Sequence, residues 1–284
     1  MVAFSLLLFR VITTGGNHSG NTSESYKNIP ATQAPQICHI SADTTITQCG
    51  TSVTLHTDAD IPNYTWSNGS TSSGITVTES GQYYWQFIDM SRNTVTNGDF
   101  SSGNSGFTSA YTYINPNGST GAYGALSAEG YYTVTTSPKI THTNFANFGD
   151  HTTGTGKMMV LNGSPTANAK VWGQSITVEQ NTSYIFSIWA ASAHASNPAK
   201  LTFSINGSQL GVIQLTSTTG AWQNFTVQWT SGSSTTAAIG IVNQNTIASG
   251  NDFALDDIVF APVCRKIFNV VLIPNPDKPA ITNN

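Results

Sequence analysis

Gly250–Phe260 reads GNDFALDDIVF, and this stretch decides the fold. It is an apolar β-strand interrupted by two adjacent carboxylates, Asp256 and Asp257. An unpartnered carboxylate within a strand is costly, so two in succession require a bound cation or a strong hydrogen-bond network. Charge is scarce elsewhere: Asp, Glu, Lys and Arg make up 8% of the 284 residues, against about a quarter in an average soluble protein. Thr, Ser, Asn and Gly supply the polarity instead, while aromatic, Val and Ile residues recur at strand spacing. That composition predicts an extracellular all-β protein rather than a disordered chain. A formal net charge of −4 provides no electrostatic footprint for nucleic acid or anionic membrane.

Upstream, VAFSLLLFRVI (residues 2–12) is about half as long as a membrane span requires. It reads as a remnant of a secretion signal or as a stray strand, without the basic start or small-residue cleavage site of a complete signal. Residues 13–35 have no apolar period and are rich in Gly, Ser, Asn and Pro, so 1–35 is an apolar segment followed by a linker. From Gln36 short strands and turn signals alternate: SVTLHT, NYTWSNGS, GITVTES and GQYYWQFID. Residues 95–262 continue in the same style, with strand-like runs separated by turns and no long helical period, as in a sandwich. PNPDKPAITNN closes the chain as a Pro-rich exit, and 275–284 is assigned as a linker to further domains of a larger protein.

CGTSVTL (49–55), YTWSNG (64–69) and ITVTESGQYYW (75–85) resemble the immunoglobulin-like repeats of large bacterial surface proteins. The resemblance makes Trp66 a core tryptophan and calls for a final strand that residues 92–107 do not supply. KIFNVVLIP (266–274) does supply one. The expected organisation is therefore an Ig-like β-sandwich of 36–94 plus 263–274, with 95–262 inserted in its last loop, where insertions are best tolerated. Two domains in tandem is the alternative. In such repeats a cysteine at the CGTSVTL position faces one before the final strand, which implies a Cys49–Cys264 disulfide. Cys38–Cys264 and Cys38–Cys49 stay open as pairings of the three cysteines.

Within 95–262, NGDF (97–100) with Gly106–Phe107, DHTTGTGKMMVLNG (150–163), WGQSITVEQNTSYIFSIWA (172–190), GAWQNFTVQW (220–229) and FALDDIVFAPVC (253–264) follow one another in a known order. They resemble the jelly-roll, galactose-binding-like carbohydrate-binding modules, and DHTxGxG and LDDI match the MAM domains of animal surface proteins. The early MAM cysteine pair is absent. The resemblance implies a second, larger jelly-roll β-sandwich with a structural calcium ion where its first and last strands meet. Asp99, Asp150, Asp256 and Asp257 are the expected ligands, since calcium takes six to eight hard oxygens. Ser101 stands where the family has an acid, which weakens that set by one position.

Glycan recognition needs an exposed aromatic ring with hydroxyl and amide partners. In SYIFSIWAAS, strand alternation puts Tyr184, Phe186 and Ile188 on one face and Ile185, Ser187 and Trp189 on the other. Trp222 sits where the family keeps a packing tryptophan. Trp172, Trp189, Tyr131 and Tyr132 are therefore the platform candidates, with Gln174 as polar partner. Asp150–His151–Thr152 lacks an accompanying G-x-S-x-G elbow, and Glu24, Glu79, Glu129 and Glu179 form no acid–base pair, so no enzymatic motif is present. The expectation is a secreted or cell-surface module, non-catalytic and without a membrane span, that binds a polysaccharide or other glycan. The alternative is an adhesive spacer without a glycan site.

Overall fold

The computed structural model describes residues 41–58 and 63–275. The N-terminal apolar segment, the linker through residue 35, Cys38 and most of the Pro-rich exit lie outside these residues. The described chain is all-β, with two single-turn 3-10 segments at Met90–Arg92 and Pro138–Ile140.

The strands are β1 (Thr44–Cys49), β2 (Val53–His56), β3 (Thr65–Trp66), β4 (Gly74–Val77), β5 (Gly81–Ile88), β6 (Thr112–Tyr113), β7 (Tyr131–Thr135) and β8 (Met158–Leu161). They continue as β9 (Lys170–Thr177), β10 (Ser183–Ser192), β11 (Lys200–Ile205), β12 (Ser208–Gln214), β13 (Gln223–Thr230), β14 (Thr236–Asn243) and β15 (Phe253–Ile273).

One strand ties everything together. β15 is 21 residues long, and its partners change partway along. Phe253–Pro262 lies against β10, with Phe253–Leu255 also paired to β8. Val263–Val270 pairs with β5, and Phe268–Ile273 runs parallel to β1. The first half belongs to the sheet ordered β13-β10-β15-β8-β7-β6, which faces a second sheet ordered β12-β11-β14-β9. Phe100, Trp172, Phe186, Phe203, Leu255 and Phe260, all completely buried, lie in the core cluster shared by these strands. Around the second half, Trp66, Trp85, Leu55 and Phe268 form a separate core with the β2-β4 pair.

The alternation of β15 explains the carboxylate interruption. Phe253 and Leu255 point into the core, and so do Ile258 and Phe260, so the inward parity shifts by one between them. The register with β10 slips at the same place: Ser187 faces Val259, whereas Trp189 faces Asp256. Two residues on β15 thus oppose one on β10, which is a β-bulge. Asp257 adopts φ +47° there, a conformation open to Asp and Asn far more readily than to branched residues. An uninterrupted strand would send the two acids to opposite faces. The bulge keeps both off the core side.

The opening segment packs on this bulge. Ile258 N–H donates to Gly98 O (3.0 Å), and a Cβ on Gly98 would stand 2.0 Å from the Ile258 carbonyl oxygen. Gly98→Ala is expected to lower stability by about 1–3 kcal/mol, since only backbone can give way. Gly81→Ala, whose nearest neighbour would be 3.8 Å away, serves as the tolerated control. Urea midpoints that coincide for the two variants would contradict this packing.

The expected Cys49–Cys264 bridge does not form. Cys49 is free and exposed, while Cys264 is disulfide-bonded without it. The reason is register. β1 runs parallel to β15 and places Cys49 opposite Ile273, nine residues beyond Cys264. At strand rise that is about 30 Å, far outside disulfide reach.

Candidate functional site

The outer face of the β13-β10-β15 sheet divides into a covered half and an open half. Over β8 and the start of β15, loop residues Leu126 and Phe145 bury Met158, Val160 and Ala254, with Phe148 and Trp222 packed alongside. Beyond them, Ile185, Ser187, Trp189, Thr226 and Val259 line an open cavity of about 390 Å³ with Asp257 at its edge. Ile88 and Met90 also line it.

Trp189 is half-buried and braced on one face. The His151 imidazole lies parallel to its indole, 3.8 Å between centroids at 16°, and Trp222 meets the same imidazole edge-on at 5.9 Å. Asp257 holds His151 in place through Nδ1 (2.6 Å) and accepts from Thr152 Oγ1 (2.5 Å). Beside the indole runs a polar ladder: Asn224 donates to Ser187 Oγ (3.0 Å), Ser187 and Thr226 hydroxyls meet at 3.0 Å, and Thr226 donates back to Asn224 Oδ1 (2.5 Å).

Asp256 is completely buried beneath this surface and accepts from His151 N–H through Oδ2 (2.8 Å). Its other oxygen has no partner. Burial, reinforced by the charges of Asp257 and Asp150, pushes its carboxyl up to about 7. Asp150 folds its own loop, taking Thr153 N–H (3.0 Å) and Gly156 N–H (2.7 Å). A Cβ on Gly149 would lie 1.9 Å from Gly154 O, and one on Gly156 would lie 2.7 Å from Asp150 Oδ2. Gly149 and Gly156 are required by this tight turn, and Gly154 by its φ of +77°.

The four carboxylates expected to bind calcium do not present an open oxygen cage. Asp150 is engaged with its loop and Asp257 with His151 and Thr152, while Asp99 accepts from Ser101 N–H and Oγ–H (3.2 and 2.9 Å). Asp256 is sealed behind them. Asp99 and Asp257 do share the lining of an adjoining cavity of about 400 Å³, with Asn97 and Thr152. Among the described residues no group of three or more His, Cys, Asp or Glu is placed to hold a metal ion.

Of the platform candidates, Trp189 opens onto the cavity described above. Trp172 is fully buried: it lies opposite Ile241 in the β9–β14 ladder, both rings and chains turned inward, and stacks near Phe107 at 6.5 Å. Tyr132 is 6% exposed, packs against Phe107 and donates its hydroxyl to Asn104 Oδ1 (2.7 Å). Neither can stack on a ligand. Tyr131 is half-buried against the Leu126–Phe145 cluster. Gln174 works as a staple, donating to Gly106 O (2.6 Å) and Thr96 O (3.1 Å) and accepting from Thr96 N–H (3.0 Å). It also borders a cavity of about 420 Å³ with Lys170, Thr108 and Phe107. Asn224 and Thr226 carry no signal of their own in the sequence, and His151 stands out there only beside Asp150 and Thr152. The alternation in SYIFSIWAAS marks the face they share, but their convergence depends on pairing between distant strands.

A second acidic site lies at the ends of β7, β8 and β15. Asp252, 5% exposed, accepts from Gly163 N–H (3.1 Å), and burial raises its carboxyl to about 7. Glu129 is raised to about 7 by burial and by the Asp252 charge. Tyr111, pushed up to about 12 chiefly by burial, accepts from Ser164 N–H (3.1 Å).

No protein-family model and no curated protein matches the chain. Solved structures do match. Family 16 carbohydrate-binding module 2 aligns over 59% of this chain and 99% of its own, at 14% identity and a TM-score of 0.34. The CBM22-1 xylan-binding domain from Paenibacillus barcinonensis covers 56% of this chain and 93% of its own, at 15% identity and 0.34. A Stig cyclase from Fischerella covers 60% and 96%, at 13% identity and 0.41. What the described residues themselves define is a sandwich-type all-β protein with one braced, open indole on an outer sheet face. No helix among them is long and apolar enough to cross a membrane.

Proposed function

We propose that this chain is a non-catalytic module that binds a glycan on the outer face of β13-β10-β15, with Trp189 as the stacking platform. The observation that carries the reading is the indole itself. It is half-exposed in an open cavity, immobilised by the parallel His151 ring, and flanked by the Ser187–Thr226–Asn224 ladder. A rigid apolar face beside hydroxyl and amide groups matches the amphipathic surface of a sugar ring. We read 95–262 as a jelly roll inserted in an Ig-like host of 36–94 plus 263–274, carried outside the cell on a larger surface protein. The change of β15 partners between Pro262 and Val263 supports that division.

Trp189→Ala is expected to weaken binding to a soluble polysaccharide about five- to thirty-fold, the loss of one aromatic contact of about 1–2 kcal/mol. Its melting temperature should stay near that of the wild type because the ring is not part of the main core. Affinity electrophoresis across a polysaccharide panel reads the result, and undiminished binding in the variant would refute the site. The burial of Trp172 and Tyr132 favours a second reading, an adhesive spacer without a glycan site. A panel on which nothing binds would select it.

A further inference from the structure

The cavity beside Trp189 has more apolar lining than a plain hexose ring requires. Ile88, Met90, Ile185 and Val259 join the indole, and Asp257 is the one charged group at its edge. Ile88 and Met90 come from the end of β5 and the 3-10 turn that follows, not from the sandwich strands, and are 41% and 56% exposed. This wall is held rigidly. Asp89 N–H donates to Pro262 O (3.0 Å), Thr94 donates through N and Oγ1 to Phe260 O (3.0 and 2.8 Å), and Asn93 Oδ1 accepts from Phe260 N–H (3.0 Å). Asp89 also accepts from Ser91 Oγ–H (2.5 Å) and pairs with Arg92 at 3.5 Å. A preorganised apolar wall in the same cavity as a stacking ring costs little entropy when a ligand enters.

Resting on the glycan-binding reading above, we infer that this cavity selects N-acetylhexosamine units, and that Met90 and Ile88 are the specificity-determining residues. The sugar ring stacks on Trp189, and the acetyl methyl packs between the Met90 thioether and Ile88. The amide N–H is a donor suited to the Asp257 carboxylate, which keeps acceptor capacity beyond its bonds to His151 and Thr152. A uronate would meet that carboxylate with no Lys or Arg among the lining residues to offset it. A neutral glucan would leave the Ile88–Met90 wall without an apolar partner.

Isothermal titration of the full chain with three probes tests the inference: the N-acetylglucosamine tetramer, its fully deacetylated counterpart and cellotetraose. The acetylated tetramer is expected to bind at least about ten-fold more tightly than either, the discrimination that a methyl-sized apolar contact supports. In Met90→Ser and in the Ile88→Ser/Met90→Ser pair that advantage should shrink toward parity. Binding should not vanish, because Trp189 remains. Both side chains are exposed, so thermal melts should show the variants folded. Cellotetraose or the deacetylated tetramer binding as tightly as the acetylated one overturns the inference, as does an advantage that persists in the double variant. If none of the three binds but another glycan binds through Trp189, the inference falls and the glycan-binding reading stands. If no glycan binds at all, both fall.

Discussion

Acidification from pH 8 to pH 5 is expected to raise the melting temperature of this protein, the reverse of what ion-paired carboxylates produce. Asp252 and Asp256 are almost fully removed from water, and burial lifts both carboxyls to about 7. In the unfolded chain they titrate near the ordinary value of about 4. Between those values the folded state binds more protons than the unfolded state, so stability falls as pH rises. Their contribution is full below about pH 4 and is lost as pH climbs through about 7. For the two groups together this amounts to several kcal/mol, on the order of 1.4 kcal/mol for each pH unit and group. Glu129 moves in the same direction but is exposed at its side chain, so its share is smaller.

Asp58 works the opposite way. Its partial burial is outweighed by hydrogen bonds from Ser41 and Lys266, which hold its carboxyl below the usual range. That contribution disappears only below about pH 4, outside the pH 5–8 window. Asp256→Asn and Asp252→Asn keep an acceptor for the His151 and Gly163 amides. Each variant should therefore flatten the pH profile and melt higher than the wild type at pH 8. A wild-type melting temperature that falls on acidification to pH 5, or a slope that neither variant changes, would contradict the assignment.

Trp172→Ala is expected to cost about 3–5 kcal/mol of stability, the range for deleting a fully buried large aromatic side chain. Its indole has no exposed surface, and its neighbours belong to the core between the two facing sheets. In a chain of this size that corresponds to a fall in melting temperature of roughly 10 °C. The contrast with Trp189→Ala is the informative part. One tryptophan should register in the melt, the other in the titration. Equal effects of the two substitutions on stability would mean that the inner and outer faces have been exchanged.

Local pattern in the chain carried the all-β class, the strand positions of SVTLHT, GITV and SYIFSIWAAS, and the placing of Trp189 on the strand face opposite Tyr184, Phe186 and Ile188. Period-2 alternation is written in consecutive residues and needs no partner to be read. Trp172 and Tyr132 were misread as platform residues for the same reason. A strand's alternation says which residues share a face, but not which face another sheet will cover. The four carboxylates expected to bind calcium take hydrogen bonds from Thr153, Gly156, His151, Thr152 and Ser101, partners that the spacing of the acids along the chain does not reveal.

The Cys49–Cys264 pairing depended on the direction and register of β1, which no short-range signal encodes. Only tertiary pairing set Cys49 opposite Ile273. The same holds for FALDDIVF. Its composition alone made it a strand whose two acids needed partners. Whether those acids lay on one face or two was decided by a bulge against β10, because an extra residue in a ladder exists only relative to the strand beside it. From that slip came the His151–Asp257 brace and, with it, the ordered indole of Trp189.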